Sequence, residues 1–440
     1  MGRQIEEQLR RSIRTGTLAA GTGLPSTRTL AKDLGVSRGV VLRAYAQLGA
    51  AGFIDLRQGA SPRVRSVPTV REPAPDGGGK ILYDLRAIQP DVSTFPRRLW
   101  LRSMEHAVTS ATNAELGYID VQGLARLRSE IAGYLGRARG VVVDPERIVV
   151  TAGATHALSL LGRALVRRGA TLTGYENPSH RILHAVARRA GQTAVGIPVD
   201  AHGLRTDMLG DEAAVVVSPA NQFPTGVTLT QSRRAALVAW ARRTGGLVIE
   251  NDYDAEFRYE STSVGALQSL APEHVAYVGS TGKTLAPAIR LGWLVLPERL
   301  LADVAEELSA SMLHVSGMDQ LAFADFLRRG EFDRQLRRLR SLYRRRRDVV
   351  VDALAKQLPD LFVTEPSAGL HVVVELPDAA LEPAIVAAAR AAGVLVPSLS
   401  QHTLPGYDGP AGIIVGFGSL PEPTIPLAVQ RLAAVIRSVA

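Results

Sequence analysis

Apolar side chains recur at two different spacings along this chain, and the change of spacing divides it. In the first part Ile5, Leu9 and Ile13 fall at i, i+4 and i+8, so a first helix carries one apolar stripe with arginines on its flanks. Gly21-Thr22-Gly23-Leu24-Pro25 ends that unit. Ser26 can cap a second helix over 27–34, and Gly35-Val36 leads to Ser37, the cap of a third over 38–50. Beyond it, 52–59 and Pro62-Arg63-Val64 read as the two strands of a wing with a glycine at its turn. From residue 83 onward, apolar runs of strand length at 148–150, 215–217, 247–249, 275–278 and 291–296 alternate with helical stretches at 154–166 and 231–244. This is the cadence of an α/β body, a mostly parallel sheet with helices on its faces. Between the two parts lie Pro68, Pro73 and Pro75, then Gly77-Gly78-Gly79, a stiff arm with a flexible end. The expected organisation is a small helical domain at 1–66, a linker at 67–82 and a large α/β domain at 83–440.

A length of 440 residues with 46% apolar side chains suits two or three folded domains. No apolar run reaches the ~18 residues of a membrane span. The N-terminus lacks the apolar core of a signal peptide, so a cytoplasmic protein without a membrane partner is expected. Without cysteine there are neither disulfides nor thiolate-bound zinc, and the nine histidines form no H-x-x-x-H pair with a nearby acid, so no metal site is expected. Net charge is +9, unevenly spread: residues 1–70 hold eleven basic against four acidic side chains, and the rest forty against thirty-eight. A small basic module on a nearly neutral body points to a polyanion as the module's partner.

Two short helices joined by a glycine-containing turn form the helix-turn-helix pattern. Its second helix would present Ser37, Arg38, Gly39 and Arg43 near its N-terminal end, where base edges and phosphates are met. In the body the polar clusters follow strand ends, which is where such sheets bind ligands. Thr151-Ala152-Gly153-Ala154-Thr155 opens a helix and offers backbone N–H groups to a phosphate. Ser218 to Gly226 is a proline- and amide-rich loop, and Glu250-Asn251-Asp252-Tyr253-Asp254 ends a strand with acids and a phenol. The stretch Ser280 to Arg290 puts one lysine, Lys283, between two apolar runs. Burial favours the neutral amine, which condenses with an aldehyde as a Schiff-base lysine does. Ser280 and Arg290 can converge on a phosphate. Further on, Arg334, Arg337, Arg338, Arg340 and Arg344 to Arg347, with Leu336, Leu339 and Tyr343 as an apolar stripe, read as a long surface helix, with a second DNA contact or a docking face for the basic module as the alternative.

Leu24-Pro25-Ser26-Thr27-Arg28, Leu34-Gly35-Val36-Ser37-Arg38, Ala44-Tyr45 and Gly52-Phe53 resemble the GntR-type winged helix-turn-helix. The resemblance implies operator DNA as partner, touched by Arg28, Ser37, Arg38 and the wing that carries Arg63. Ala60-Ser61-Pro62 departs from the glycine and threonine usual in that wing. Gln222-Phe223-Pro224-Thr225-Gly226, the segment Asp252 to Tyr259, and the segment Lys283 to Trp293 resemble the fold-type I aminotransferases, which use pyridoxal 5'-phosphate. Joined to the GntR module, the whole chain resembles the MocR-type regulators. This implies a body with a mostly parallel sheet and a small C-terminal α+β subdomain. It also implies a site in which Lys283 holds the cofactor aldehyde, while Arg290, Ser280 and the amides of Ala154 and Thr155 hold its phosphate and Tyr253 reaches the ring hydroxyl. Tyr118 looks like the tyrosine that in this fold reaches across to the second subunit's phosphate, which implies a homodimer.

Departures from the family pattern narrow the expectation. Asn251 stands where an aspartate usually pairs with the pyridine nitrogen, and an amide offers a hydrogen bond without charge; unless Asp252 takes over, the ring is a poorer electron sink. His180 replaces the aromatic residue that stacks on the cofactor, and Gly282 the serine before the lysine. The segment 412–418 lacks the arginine that clamps a substrate α-carboxylate, and neither Arg nor Lys lies between Arg390 and Arg431. The expected protein is a transcription regulator with weak or no transaminase activity. Its DNA binding is controlled by pyridoxal phosphate, or its adduct with an amine lacking an α-carboxylate, as small-molecule effector. The alternative is a working aminotransferase that carries a DNA-binding arm.

Overall fold

The computed structural model describes residues 2–57, 60–67, 80–259, 264–311, 314–364 and 367–439. The chain divides between residues 78 and 79 into two compact units. The smaller unit holds α1 (Gly2–Arg14), α2 (Thr27–Asp33) and α3 (Arg38–Ala50), followed by β1 (Ile54–Asp55) and β2 (Arg63–Val64). Ile5 and Ile13 of α1 meet Val41, Ala44, Tyr45 and Leu48 of α3 in one core, which β1 and β2 close with Ile54 and Val64. The Ser26 hydroxyl accepts from the amide of Thr29 at 3.1 Å and so caps α2. Ser37 holds the equivalent position before α3, but its side chain makes no capping bond. Tyr45 donates its hydroxyl to the Pro25 carbonyl at 2.9 Å, tying α3 to the turn that precedes α2. β1 and β2 pair antiparallel, Ile54 with Val64 and Asp55 with Arg63, and form the expected wing. The glycine expected at its turn, Gly59, and the linker prolines lie outside the described residues.

The larger unit begins with β3 (Tyr83–Asp84) and is built on β4 (Ile148–Thr151), β5 (Leu172–Asn177), β6 (Thr193–Asp200), β7 (Gly203–Leu204), β8 (Ala214–Val217), β9 (Leu247–Asn251), β10 (Val275–Ser280) and β11 (Gly292–Val295). Strands β4 to β11 form one sheet in the order β4-β11-β10-β9-β8-β5-β6-β7. β10, β9, β8, β5 and β6 are parallel neighbours, whereas β11 runs antiparallel to both β10 and β4. The short β4 and β8 are buried at every position, as expected of strands covered by helices on both faces. β12 (His371–Leu376) and β14 (Ala411–Gly416) pair antiparallel in a second lobe, beside β13 (Val394–Leu395), which pairs parallel with β3. That α+β lobe therefore includes the first residues of the body as well as its C-terminal part; Leu85 shares a core with Val372, Val415 and Ile436.

The arginine-rich run lies in one helix, Glu331–Gln357, with Leu336, Leu339, Tyr343, Val350 and Leu354 buried along one face. The expected surface helix is present, with Arg334, Arg337, Arg338, Arg344 and Arg345 exposed, but two of its arginines turn inward. Arg346 is buried against Asp91 at 2.6 Å, and Arg340 donates to the carbonyl of Glu256 at 2.7 Å. Among the described residues no helix is long and apolar enough to cross a membrane.

Candidate cofactor site

β4, β5, β8, β9 and β10 all point the same way, so the loops after them meet along one edge of the sheet. They bound a cavity of 350 Å³ whose lining includes Ala154, Thr155, Glu176, His180, Asn251, Tyr253 and Lys283. Its outer wall is the segment Ala87-Ile88-Gln89, which follows β3.

Lys283 follows the turn after β10. Its Nζ reaches the cavity and donates to the carbonyl of Ile88. Burial pulls its pKa down to about 8, with the charge of Asp254 working in the opposite direction. Near neutral pH that leaves roughly a tenth of the amine unprotonated, against roughly one part in three thousand for an ordinary lysine. The acceptor is itself unusual. Ile88 has φ +56°, a left-handed conformation that a β-branched residue adopts only where its surroundings impose it. Those surroundings are Gly416 and Gly418: a Cβ on the first would overlap the carbonyl of Arg86, and on the second that of Gln89.

The other end of the cavity is suited to an anion. Ala154 and Thr155 open the helix Ala154–Arg167 after Gly153, whose φ is +90°, so their amides have no intrahelical acceptor. β11 comes in close beside them, since a Cβ on Gly292 would stand 2.8 Å from the Gly153 Cα. Across β10 and β11, Gly292 pairs with Ser280. Arg290, two residues before Gly292, has φ +53°, and its guanidinium has no partner among the described residues. Burial and then nearby cationic charge, that of Arg290 included, pull His156 in the first helical turn down to about 4. Ala154 and Thr155 line the cavity, whereas Ser280 and Arg290 are not among its lining and come near it only through Gly292, which packs on Gly153.

Along the side of the cavity, Asn251 ends β9 facing inward. Asp252 faces the other way, as alternation along a strand requires. Its Oδ2 accepts from Arg139 Nε at 2.8 Å and from the Tyr277 hydroxyl at 2.6 Å, inside the body. Asp252 therefore does not reach the cavity and does not take over from Asn251. The Tyr253 hydroxyl accepts from Asn221 Nδ2 at 3.2 Å; burial and the neighbouring Asp254 hold its pKa well above the usual range. His180 packs against Phe223 and His402, with ring centroids 5.2 and 5.4 Å away. Burial, then the charge of Lys283, pulls it down to about 4, so the ring is neutral near pH 7. Tyr118 is fully exposed and does not line the cavity.

Glu176, at the end of β5, was not among the expected residues. It is buried in the cavity wall, where it accepts from the amide of Ser218 at 3.1 Å, and burial pushes its pKa up to about 8, so it keeps its proton at neutral pH. In the sequence it is one acid within a segment not read as a strand, and burial, which gives it its character, leaves no local mark.

On the smaller unit Arg28, Ser37, Arg38, Arg43 and Arg63 are all exposed. Arg38 Nε lies 3.4 Å from Thr27 Oγ1, linking α2 and α3, and Arg63 donates to the carbonyl of Gly21 at 2.9 Å, which pins the base of the wing.

Comparison with known proteins agrees with both units. Residues 1–64 match the family of bacterial regulatory proteins described as the gntR family, and residues 91–410 match aminotransferase class I and II. The chain is 34% identical to the HTH-type pyridoxine biosynthesis transcriptional regulator PdxR of Corynebacterium glutamicum, over 96% of this chain and 93% of that protein. It is 31% identical to the probable rhizopine catabolism regulatory protein MocR of Rhizobium meliloti, over 98% and 93%. Among solved structures, an archaeal alanine:glyoxylate aminotransferase superposes with a TM-score of 0.74 at 28% identity, covering 82% of this chain and 92% of that one.

Proposed function

We propose, from the premise that the chain belongs to the MocR-type GntR regulators, a gntR-type head on an aminotransferase class I and II body, that its operator binding is set by pyridoxal phosphate held on Lys283. One observation carries this reading: a lysine with a depressed pKa shares one cavity with a helix N-terminus whose first amides have no intrahelical acceptor. Pyridoxal phosphate, when bound, supplies an aldehyde for the amine and a phosphate for the helix end. Ala154 and Thr155 would hold the phosphate through their amides, with Arg290 as a charged donor and Ser280 as a neutral one. Asn251 would meet the ring nitrogen, Tyr253 the ring hydroxyl, and His180 the ring face. Lys283 would give up its bond to the Ile88 carbonyl on engaging the aldehyde.

Regulation rather than turnover is favoured by Asn251 at the ring and by the absence of an arginine on β14, where the relatives' aminotransferase fold would clamp an α-carboxylate. A homodimer completes the proposal, with Tyr118 of each copy supplied to the other's cavity. The effector, pyridoxal phosphate or its amine adduct, then favours one arrangement of the dimer by binding it more tightly.

The test is chemical and needs no turnover. After loading with pyridoxal phosphate and reduction with borohydride, mass analysis of a digest is expected to find the added mass on the peptide containing Lys283, and Lys283→Ala is expected to lose it. Label on another lysine, or no label, would end the reading. Operator binding measured with and without the cofactor tests the regulatory half; identical affinities count against it.

A further inference from the structure

On the smaller unit, the outward face of α3 is chemically unusual for a helix that meets a polyanion. Its exposed residues include Arg38, Gly39, Leu42, Arg43 and Ala46. At about 100° per residue, Gly39, Leu42 and Ala46 fall along one line at i, i+3 and i+7, and Arg38 and Arg43 lie roughly 70° to either side of it. The arginines therefore border a central strip that holds no hydrogen-bonding side chain. Leu42 is 56% exposed, more than any other large apolar side chain described in this unit. The unit's core does not call on it, since Val41, Ala44, Tyr45 and Leu48 supply the buried side of α3.

Gly39 is the second anomaly. It stands in the first turn of α3 with negative φ, where glycine weakens a helix relative to alanine. A Cβ placed on it would meet no heavy atom within 4 Å. Neither the backbone conformation nor packing within the unit asks for glycine, so the missing side chain answers to something outside. A closely approaching duplex fits: residues 1–70 carry eleven basic against four acidic side chains, and the first turn of such a helix is where base edges are met.

We infer that Gly39, Leu42 and Ala46 form an apolar reading strip that selects thymine in the operator by its C5-methyl group. Base pairs differ in the major groove by their donors and acceptors, and the one apolar feature there is that methyl. A strip without donors or acceptors has nothing else to read. Gly39 lets the main chain come close to the base edges, and Leu42 covers the methyl. Arg38 and Arg43 hold the phosphates on either side, Arg38 being steadied from α2 by Thr27 at 3.4 Å. The inference rests on operator binding by the head and not on the reading of Lys283.

The test uses the full chain, with or without pyridoxal phosphate according to which state binds more tightly, and a duplex selected by the wild type from a random library. Each thymine is replaced singly by deoxyuridine, which removes the methyl and nothing else. At one thymine or more, wild-type binding is expected to weaken about fourfold, the contribution of one buried methyl. Leu42→Ala is expected to bind the thymine and deoxyuridine duplexes equally at that position. Its slope of log affinity against log salt is expected to match the wild type, because no phosphate contact is given up. Gly39→Ala is expected to melt no lower than the wild type and yet to bind about tenfold less tightly, as for one mismatched base pair. Leu42 is exposed and Gly39 has open space beside it, so folding is not at stake. Deoxyuridine without effect at every thymine, or an effect undiminished in Leu42→Ala, overturns the strip. Leu42→Ala that melts lower and keeps the preference for thymine also overturns it, placing Leu42 against protein instead. Wild-type affinity in Gly39→Ala overturns the close approach of the main chain. A library that yields no enriched duplex overturns the operator-binding premise and the strip with it, whereas enrichment by a protein whose Lys283 takes no label leaves the strip standing and overturns only the lysine assignment.

Discussion

Single side chains set the chemistry of the lysine cavity, and Glu176 illustrates how. Its pKa of about 8 exceeds the ordinary value, so between about pH 4.5 and 8 the folded chain keeps a proton that the unfolded chain has released. Stability from this group is present below that window and is lost as pH rises through it, by at most about 1.4 kcal/mol per pH unit. Glu176→Gln is therefore expected to flatten the fall in unfolding free energy across the window, measured by urea titration at several pH values. Glu250 and Glu256, raised to about 7, are common to both proteins and cancel in the difference. Parallel curves would contradict a protonated Glu176. Asn251 makes a complementary case. Asn251→Asp replaces a neutral acceptor by a charged one facing the ring nitrogen, so pyridoxal phosphate is expected to bind about tenfold more tightly, because hydrogen bonds to charged groups contribute more than neutral ones. Cofactor titration followed by fluorescence measures this, and unchanged affinity would speak against Asn251 at the ring. The identity of Asn251 was legible in the sequence; which of Asn251 and Asp252 faces inward was not, since the strand's phase is fixed by Arg139 and Tyr277 from distant segments.

Elements are where legibility was greatest, and its limits are physical. β4, β8, β9, β10 and β11 coincide with apolar runs because a strand covered on both faces must be apolar throughout. β5 and β6 escaped notice: Leu-Thr-Gly-Tyr-Glu-Asn and Thr-Ala-Val-Gly-Ile-Pro-Val-Asp break every run with polar, glycine or proline positions, and only their place between other strands makes them strands. β14 also hides a constraint. Gly416 lies so close under the carbonyl of Arg86 that Gly416→Ala must displace the segment over the lysine. A cost of about 2–3 kcal/mol is expected, as for overpacking in a tight interior, with weakened cofactor retention. Thermal melts with and without cofactor check it, and an unchanged melting temperature would show that the segment yields freely.

At the scale of the whole molecule, charge and chemistry are allotted to different units. The basic excess of residues 1–70 belongs to a head whose exposed arginines have few acidic neighbours, while the body keeps its charges nearly balanced. Operator binding is accordingly expected to weaken steeply with salt. Arg38→Ala is expected to reduce the slope of log affinity against log salt by about 1, the loss of one phosphate contact. An unaltered slope would remove Arg38 from the interface. The division into a head and a body was visible in the sequence because composition changes between them, but a hollow lined by Arg86, Arg181 and Arg390 was not, since these residues are separated by up to about two thirds of the chain. One bond has a wider reach than its size suggests. The nitrogen that a vitamin-derived aldehyde would claim is already employed in restraining the kinked stretch of main chain that follows β3. Supplying the vitamin would thus release a wall of the very chamber it enters, so that the occupant loosens its own enclosure.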